Sequence, residues 1–180
     1  MGKIVSNFFM SLDGVVESPE KWHLPYFNDE MGAAIGRGME TNRAFLMGRV
    51  LYEEWAGYWP NSDDEFAEFI NNHPKYVVSN SLTSAAWNNT TIVSGDVPQR
   101  LQEIKDRTDG DLVISGSAKL VRSLLACGLL DELRLLVHPI VVGRGARLLE
   151  DGTAYPLELA AQETFSTGVL NLTYVPVRAQ

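Results

Sequence analysis

The chain has 180 residues, of which 45% are hydrophobic and 21% are charged, and its 15 basic and 23 acidic side chains give a formal net charge of −8. This composition is typical of one globular domain and excludes a chain that is disordered throughout. The acidic balance disfavours binding to nucleic acid or to an anionic membrane, because proteins neutralise phosphates with dense lysine and arginine. We therefore expect a single domain over residues 1–180 whose partner is a small molecule, with no nucleic-acid and no membrane partner.

Redox and targeting signals favour a cytoplasmic protein. The single cysteine, Cys127, excludes an intramolecular disulfide and a cysteine-rich metal site. No apolar run reaches the roughly 18–20 residues that span a bilayer, and the first apolar stretch is too short for a signal peptide. The three histidines lack the spacing of metal ligands, so we expect no metal.

Strand-like and helix-like segments alternate over the first two thirds of the chain. Short apolar runs predict five buried strands, at 3–11, 44–48, 76–79, 91–93 and 111–115. Apolar spacing and start signals predict four helices, over 29–40, after a capping box at Ser62, from Asp96, and over 117–127. This alternation predicts a layered α/β architecture.

The last third of the chain has a different pattern. Segments 132–142, 157–165 and 169–177 are strand-like without intervening helices, and residues 166–168 match a hairpin turn. We therefore predict a three-layer fold, in which a mixed, mostly parallel sheet carries antiparallel strands at one edge and has flanking helices. The apolar runs 133–142 and 169–177 are more than we expect one small sheet to cover fully, which predicts a homodimer.

Two segments run from a strand through a glycine into a helix. In the segment 114–119, free N–H groups at the helix start would form an anion site, and Gly116 lets a phosphate approach the backbone. The alternative is a simple strand-to-helix turn. The segment 45–53 repeats the pattern at Gly48, and Arg49 there is placed to bind a phosphate, unless it forms a surface salt bridge to Glu53. Together the two segments could hold both ends of a dinucleotide.

Residues 75–95 contain no aspartate or glutamate in a chain otherwise rich in both. Such a stretch suits a bound polyphosphate. It also lacks the acidic residue that a Rossmann site places on a ribose hydroxyl, and the sequence contains no G-x-G-x-x-G. A dinucleotide site in this chain would therefore not be of the Rossmann type.

A long loop, residues 13–28, follows the first strand and is rich in aromatic side chains. Loops of this length inside compact domains are often lids over a functional site. Trp22, Tyr26 and Phe27 could stack on a planar heterocycle, and plain core packing is the alternative.

Three carboxylates could reach a cleft beside this loop. Asp13, Asp29 and Glu30 could each act as a proton source or as an anchor for ring nitrogens. The alternative for each is a helix cap or a solvated charge. No G-x-S-x-G elbow and no P-loop occurs, so the sequence offers no support for a hydrolase or an NTPase.

The order of these motifs resembles that of a known superfamily. The motifs are Ser11-Leu12-Asp13-Gly14, Met47-Gly48-Arg49, Val78-Ser79, Gly116-Ser117-Ala118-Lys119-Leu120 and Val137-His138-Pro139-Ile140-Val141-Val142-Gly143. Over almost its whole length the chain looks like the dihydrofolate reductase superfamily. Within that superfamily it resembles the stand-alone branch similar to the C-terminal reductase domain of the bifunctional riboflavin-biosynthesis deaminase-reductase.

The resemblance implies a dihydrofolate reductase-like fold that binds NADPH across the strand ends and reduces a pterin- or pyrimidine-like ring. Gly48 and Arg49 would hold phosphates near the adenosine half, and Ser79 with Asn80 would line the 2′-phosphate and adenine region. The pyrophosphate cradle would consist of Gly116, Ser117 and Ala118. The loop 13–28 would cover the nicotinamide.

Two departures from the family pattern bear on the site. The helix-opening Gly-Gly pair of these reductases is Gly116-Ser117 here, which adds a hydroxyl group. The predicted helix from Asp29 is also longer than in folate reductases, so that Glu30 is the nearest match for the acid that holds a pterin. The leading hypothesis is an NADPH-dependent reductase of a small planar heterocycle. The rival is a nucleotide-binding regulatory or interaction protein of the same fold without turnover.

Overall fold

The computed structural model describes residues 2–150 and 152–177. Eight strands form one sheet: β1 Lys3–Ser11, β2 Asn42–Gly48, β3 Lys75–Val78, β4 Thr90–Val93, β5 Asp111–Ser115, β6 Glu132–His138, β7 Leu157–Thr164 and β8 Leu170–Pro176. Five α-helices accompany it: α1 Asp29–Thr41, α2 Arg49–Tyr58, α3 Ala67–Asn72, α4 Val97–Arg107 and α5 Ala118–Ala126. Single 3₁₀ turns lie at Pro19–Lys21, Leu24–Tyr26 and Trp59–Asn61.

The strand order across the sheet is β4-β3-β2-β5-β1-β6-β8-β7. The first six strands pair in parallel, while β8 and β7 are antiparallel at one edge. Residues 166–168 form the hairpin turn between β7 and β8, where the Gly168 N–H donates to the Phe165 carbonyl. The predicted mixed, mostly parallel sheet is therefore confirmed.

Alternation along the strands builds a core on each face of the sheet. Ala44 and Leu46 of β2 face a large cluster that includes the apolar stripes of α4 and α5. Phe45 and Met47, which point the other way, pack with side chains of α2 and α3. A smaller cluster around Met31 joins α1 to the β7–β8 hairpin on that second face. Helices thus flank both faces, as the sequence predicts.

Two predicted boundaries are wrong. The helix expected after Ser62 begins only at Ala67, because Ser62 and Asp64 accept hydrogen bonds from backbone N–H groups two residues ahead and form turns instead. The strand expected over 132–142 ends at His138, because Pro139 has no N–H to donate and the Ile140 N–H turns back to the His138 carbonyl.

None of the helices in the described ranges is long and apolar enough to cross a lipid bilayer. The run 133–142 is covered only in part, since Leu133 and Leu135 lie in the main core whereas Val141 is 67% exposed. Exposed apolar side chains also lie on β7 and β8, where Leu159 is 49% and Leu170 is 39% exposed.

Candidate functional site

The predicted phosphate-binding residues converge at one edge of the sheet. Parallel strands end at a common edge, here called the carboxyl edge, and β3, β2 and β5 are neighbours in the sheet. Ser79 and Asn80 follow β3, Gly48 ends β2 and Arg49 begins α2. The segment 116–118 follows β5. Open α/β sheets bind ligands at this edge, where connections leave in different directions.

The N-termini of α2 and α5 are joined by one hydrogen bond at this edge. Gly48 and Ser117 occupy the N-cap positions of these helices, and neither cap makes a side-chain hydrogen bond to its own helix. The Ser117 hydroxyl instead accepts the Gly48 N–H at 3.0 Å. By contrast, Asn28 caps α1 and Asp96 caps α4 with their side-chain oxygens. The uncapped first turns of α2 and α5 therefore present N–H donors to a ligand.

The turn between β5 and α5 has an unusual backbone. Gly116 has φ +102°, and Ser117 has φ +55° and ψ +51°, the left-handed region. A Cβ at Gly116 would also lie 3.2 Å from the Leu51 side chain. The positive φ favours glycine at 116, and a side chain there would also have to displace Leu51 by a few tenths of an ångström.

Arg49 and the residues after β3 take part in local contacts. The Arg49 guanidinium lies 3.0 Å from both carboxylate oxygens of Glu53, which is the salt bridge that the sequence offers as the alternative. The pair is about half exposed, so a stronger anion can compete for the guanidinium. Ser79 Oγ accepts the Ser81 N–H, and Asn80 Oδ1 accepts the Gly95 N–H. These bonds shape the two loops beside the α2 N-terminus.

Asp13 fastens the loop after β1 to the loop after β6. Its carboxylate accepts the Ser11 hydroxyl at 2.6 Å, the Val142 N–H at 3.0 Å and the Gly143 N–H at 2.8 Å. These hydrogen bonds, that from Ser11 foremost, lower the pKa of Asp13 to about 2. Asp13 is therefore ionised at neutral pH, which suits an anchor better than a proton donor.

The first half of the predicted lid is pinned in place. Besides the Asp13 contacts, Glu17 Oε2 accepts the Ala146 N–H at 2.6 Å, and Arg147 Nε donates to the Asp13 carbonyl. Val15 also forms an isolated antiparallel bridge with Arg147. The second half of the loop is held by other contacts, since Trp22 Nε1 donates to the Glu17 carbonyl and the Asn28 side-chain amide donates to Glu30.

Glu30 connects the start of α1 to the β7–β8 turn. Its Oε2 accepts the Ser166 hydroxyl at 2.6 Å, the Ser166 N–H at 2.8 Å and the Asn28 side-chain amide at 2.7 Å. The bonds from Ser166 and Asn28 lower the pKa of Glu30. All three use Oε2, so Oε1 accepts no hydrogen bond from the described residues.

The aromatic side chains of the loop pack around a histidine that sequence analysis did not select. His138 is fully buried, and the rings of Trp22 and Tyr26 meet it edge-on at centroid distances of 5.3 and 5.6 Å. Trp22 is buried, which is the packing alternative, whereas Phe27 is 50% exposed. Burial lowers the pKa of His138. The feature of the sequence that could have identified His138 is its place as a polar residue at the end of a buried strand, just before Pro139.

Two surface cavities lie away from these residues. One of about 350 Å³ lies between β4 and α4, with Val93, Arg100 and Arg107 in its lining. The other, about 450 Å³, lies between α2 and the segment 86–88. Neither of these two cavities is lined by Gly48, Ser117 or the loop 13–28.

Comparisons with known proteins agree on fold and family. The Bacillus subtilis (strain 168) protein YyaP, itself uncharacterized, is 25% identical over an alignment of 181 positions, which covers 96% of this chain and 94% of the relative. A Shewanella sp. PV-4 protein whose name assigns it provisionally to riboflavin biosynthesis has a TM-score of 0.80 at 20% identity, covering 98% of this chain and 99% of its own. The Enterococcus faecalis dihydrofolate reductase, solved with NADP(H), has a TM-score of 0.63 at 14% identity, covering 97% and 96%.

The similarity to dihydrofolate reductase confirms the predicted fold class. The model of the RibD C-terminal domain family matches residues 2–171, which is nearly the whole chain. The resemblance seen in the motif order is thereby confirmed. The chain belongs to the RibD C-terminal domain family.

Proposed function

We propose that residues 1–180 form one cytoplasmic reductase domain, which uses NADPH to reduce a small planar heterocycle of the pterin or pyrimidine kind. The observation that carries this proposal is the pair of uncapped helix N-termini joined by the Ser117–Gly48 hydrogen bond. Two converging sets of N–H donors at the carboxyl edge suit a pyrophosphate, which carries negative charge on both phosphorus centres. The NADP(H) bound by the similar E. faecalis reductase supports the same cofactor.

The residues at this edge fit NADPH. Gly116, Ser117 and Ala118 would cradle the pyrophosphate together with Gly48, and Arg49 would exchange Glu53 for a phosphate. Ser79 and Asn80 would line the 2′-phosphate and adenine region, where the stretch 75–95 brings no carboxylate. When bound, reduced nicotinamide supplies a hydride.

The loop and the two carboxylates would act on the substrate side. Phe27, half exposed, and Tyr26 are the rings available to stack on a heterocycle. Trp22 supports Tyr26 through His138, which both rings contact. Glu30 Oε1 is available to accept a ring N–H, while Asp13 keeps the adjoining loops in place. Because both carboxylates are held ionised, we assign them anchoring roles, and the proton that completes reduction comes from solvent.

Calorimetry and a turnover screen test this proposal. The purified protein should bind NADPH more tightly than NADH and should oxidise NADPH with at least one member of a panel of pterins and pyrimidines. Failure to bind either nicotinamide cofactor at millimolar concentration would overturn the cofactor assignment. Binding without oxidation across the panel would instead favour the second candidate.

That second candidate is a nucleotide-binding regulatory or interaction protein without turnover. The observation that favours it is the commitment of Asp13 and Glu30 to internal hydrogen bonds, which leaves neither as a proton donor. A regulator of this kind would bind NADPH with the same preference and change its own oligomeric state or partner affinity instead of oxidising it.

We also propose a homodimer formed through β7 and β8. Leu159 pairs opposite Tyr174, so it lies on the same sheet face as Leu170, and both are exposed. β7 is the last strand of the sheet, so no further strand extends the apolar face. In a dimer with a two-fold axis, the exposed apolar face that contains Leu159 and Leu170 in one copy would cover the same face of the other copy. Sedimentation that shows only a 20.0 kDa species at micromolar concentration would contradict the dimer.

A further inference from the structure

We infer that Ser117 is a positioning residue, whose strained backbone and side-chain hydrogen bond set the spacing between the two helix N-termini at the carboxyl edge. This inference rests on the proposed function, because the spacing matters for a pyrophosphate held between α2 and α5. Three features of the turn support the inference: the place of the hydrogen bond between Gly48 and Ser117, the unfavourable backbone conformation of Ser117, and the free hydroxyl proton of Ser117.

The bond spans a gap that the sheet itself does not close. The paired positions of β2 and β5 end at Phe45 and Val113. Gly48 and Ser117 lie three and four residues beyond those positions, where each strand has become the start of a helix. The 3.0 Å bond from the Gly48 N–H to Ser117 Oγ links the two chains there. The Leu51 side chain of α2 also lies against Gly116, and the hydrogen bond adds a directional contact at the two N-termini themselves.

Ser117 pays a conformational cost that a glycine would avoid. Its φ of +55° lies in the left-handed region, which is unfavourable for a residue with a Cβ. An ordinary N-cap serine has an extended backbone and accepts an N–H of its own helix. Ser117 does neither. Helix capping therefore does not account for the serine, whereas the bond to Gly48 does.

The same geometry leaves the Ser117 hydroxyl proton free. Within the described residues, the bond to Gly48 is the one hydrogen bond of this side chain, and in it the oxygen is the acceptor. A hydroxyl group can donate while it accepts. Ser117 can thus donate to a phosphate oxygen that lies between the two helices. One side chain then sets the spacing between the backbone N–H donors of α2 and α5 and supplies a further donor of its own.

The test compares Ser117→Gly with a matched control, Asn89→Gly. Asn89 is also left-handed, with φ +54°, and its side chain also makes one hydrogen bond, to the Asn72 carbonyl, but it lies at the opposite edge of the sheet just before β4. Both changes remove one hydrogen bond and relieve the same backbone strain. Stability should therefore change by a similar, small amount in the two variants.

Affinity should separate the two variants. We expect Ser117→Gly to weaken NADPH binding about tenfold and Asn89→Gly to leave it unchanged. Binding of adenosine 2′-phosphate, which lacks the pyrophosphate, should be the same in all three proteins. In the absence of ligand, hydrogen exchange at the Gly48 amide should be faster in Ser117→Gly than in wild type. Ser117→Ala should weaken NADPH binding as much and also lower the melting temperature, because it keeps the strain.

The outcomes are distinguishable. If wild type binds NADPH and Ser117→Gly binds it equally well, the inference is wrong and the proposed function stands. If Ser117→Gly weakens NADPH and adenosine 2′-phosphate alike, or the Gly48 amide exchanges at the wild-type rate, a positioning role at the pyrophosphate is wrong. If wild type does not bind NADPH at all, the proposed function is overturned and the inference with it.

Discussion

Two halves of the same carboxyl edge treat their backbone N–H groups in opposite ways. In the closed half, after β1 and β6, the chain supplies its own anions, since Asp13 and Glu17 accept the N–H groups of Val142, Gly143 and Ala146. In the open half, at the starts of α2 and α5, the cap residues are glycine and serine. Neither of these cap residues makes a side-chain hydrogen bond to its own helix.

The difference teaches where an external anion can bind. Backbone N–H groups that already donate to a carboxylate are satisfied, and the negative charge of that carboxylate repels a second anion. Uncapped helix N-termini keep their donors and their partial positive charge. The lack of acidic residues between 75 and 95 extends the open half along β3 and β4. The following variants break or sharpen this comparison, from the largest expected effect to the smallest.

Gly48→Asp should convert the open half into a closed one. Gly48 has φ −82° and ψ 167°, which any residue adopts, and a Cβ there would make only an ordinary 3.6 Å contact with Ser117 Oγ. As an N-cap, aspartate should stabilise α2 by only a few tenths of a kcal/mol relative to glycine. The same carboxylate, about 4 Å from a phosphate at an effective dielectric near 20, should cost about 4 kcal/mol of binding, or roughly a thousandfold in Kd. Calorimetry with NADPH and a melting curve measure the two opposite effects.

Gly57→Asp is the matched control for this variant. It adds the same charge to the same helix nine residues later, about 13 Å along the axis. Gly57 has no atom within 4 Å of a built Cβ, so the side chain fits. NADPH affinity should stay close to wild type. If Gly48→Asp also binds NADPH within a few-fold of wild type, the open half is not the phosphate site.

Arg49→Gln should weaken NADPH binding about tenfold, the usual size of one lost charge-assisted hydrogen bond. The expected loss is smaller for NADH, so the preference for NADPH over NADH should shrink. Added salt should reduce the same preference in wild type, because the guanidinium is exposed. Unchanged Kd values for both cofactors would mean that Arg49 serves only its surface salt bridge.

Glu53→Gln should have the opposite and smaller effect. It releases Arg49 from an exposed (i, i+4) ion pair that is worth about 0.3–0.5 kcal/mol. NADPH should then bind about twofold more tightly. The comparison of Kd values for Arg49→Gln, Glu53→Gln and the double variant shows whether the phosphate and Glu53 compete for one guanidinium. If the changes in binding free energy of the two single variants add up in the double variant, the phosphate and Glu53 do not compete for Arg49.

Asp13→Asn should weaken the hydrogen bonds that hold the loop after β6 in the closed half. We expect the smallest effect of the series, a small loss of stability, because the carboxylate is accessible to solvent. The pKa of Asp13 falls from 3.8 to about 2 in the folded protein. A lowered pKa stabilises the folded state above pH 3.8, and this contribution disappears as the pH falls through about 2. The melting temperature of Asp13→Asn should therefore be below wild type at pH 7, and the gap should narrow between pH 4 and pH 2. Asp63→Asn, which removes an exposed carboxylate between α2 and α3, is the control for the loss of one negative charge.

Much of the fold could be predicted because its signals are local. Val97–Arg107 follows an Asp96 cap, and the helix Ala118–Ala126 ends before Gly128, which has φ +70°. The start of α3 could not be predicted in this way. The residues at Ser62 and Asp64 suit both a capping box and a pair of turns, and the structure has the turns.

The sequence by itself determined the alternation of strands and helices, the antiparallel addition at the C-terminus and the two glycine-led turns that α2 and α5 follow. These features depend on residues close together in the chain. Only the tertiary structure decided that Gly48 and Ser117 touch, that Asp13 accepts hydrogen bonds from the loop after β6, and that Trp22 is buried against His138. Each of these contacts joins residues 69 to 130 positions apart, or a loop to a strand end, and strand order brings such residues together while local propensity says nothing about it.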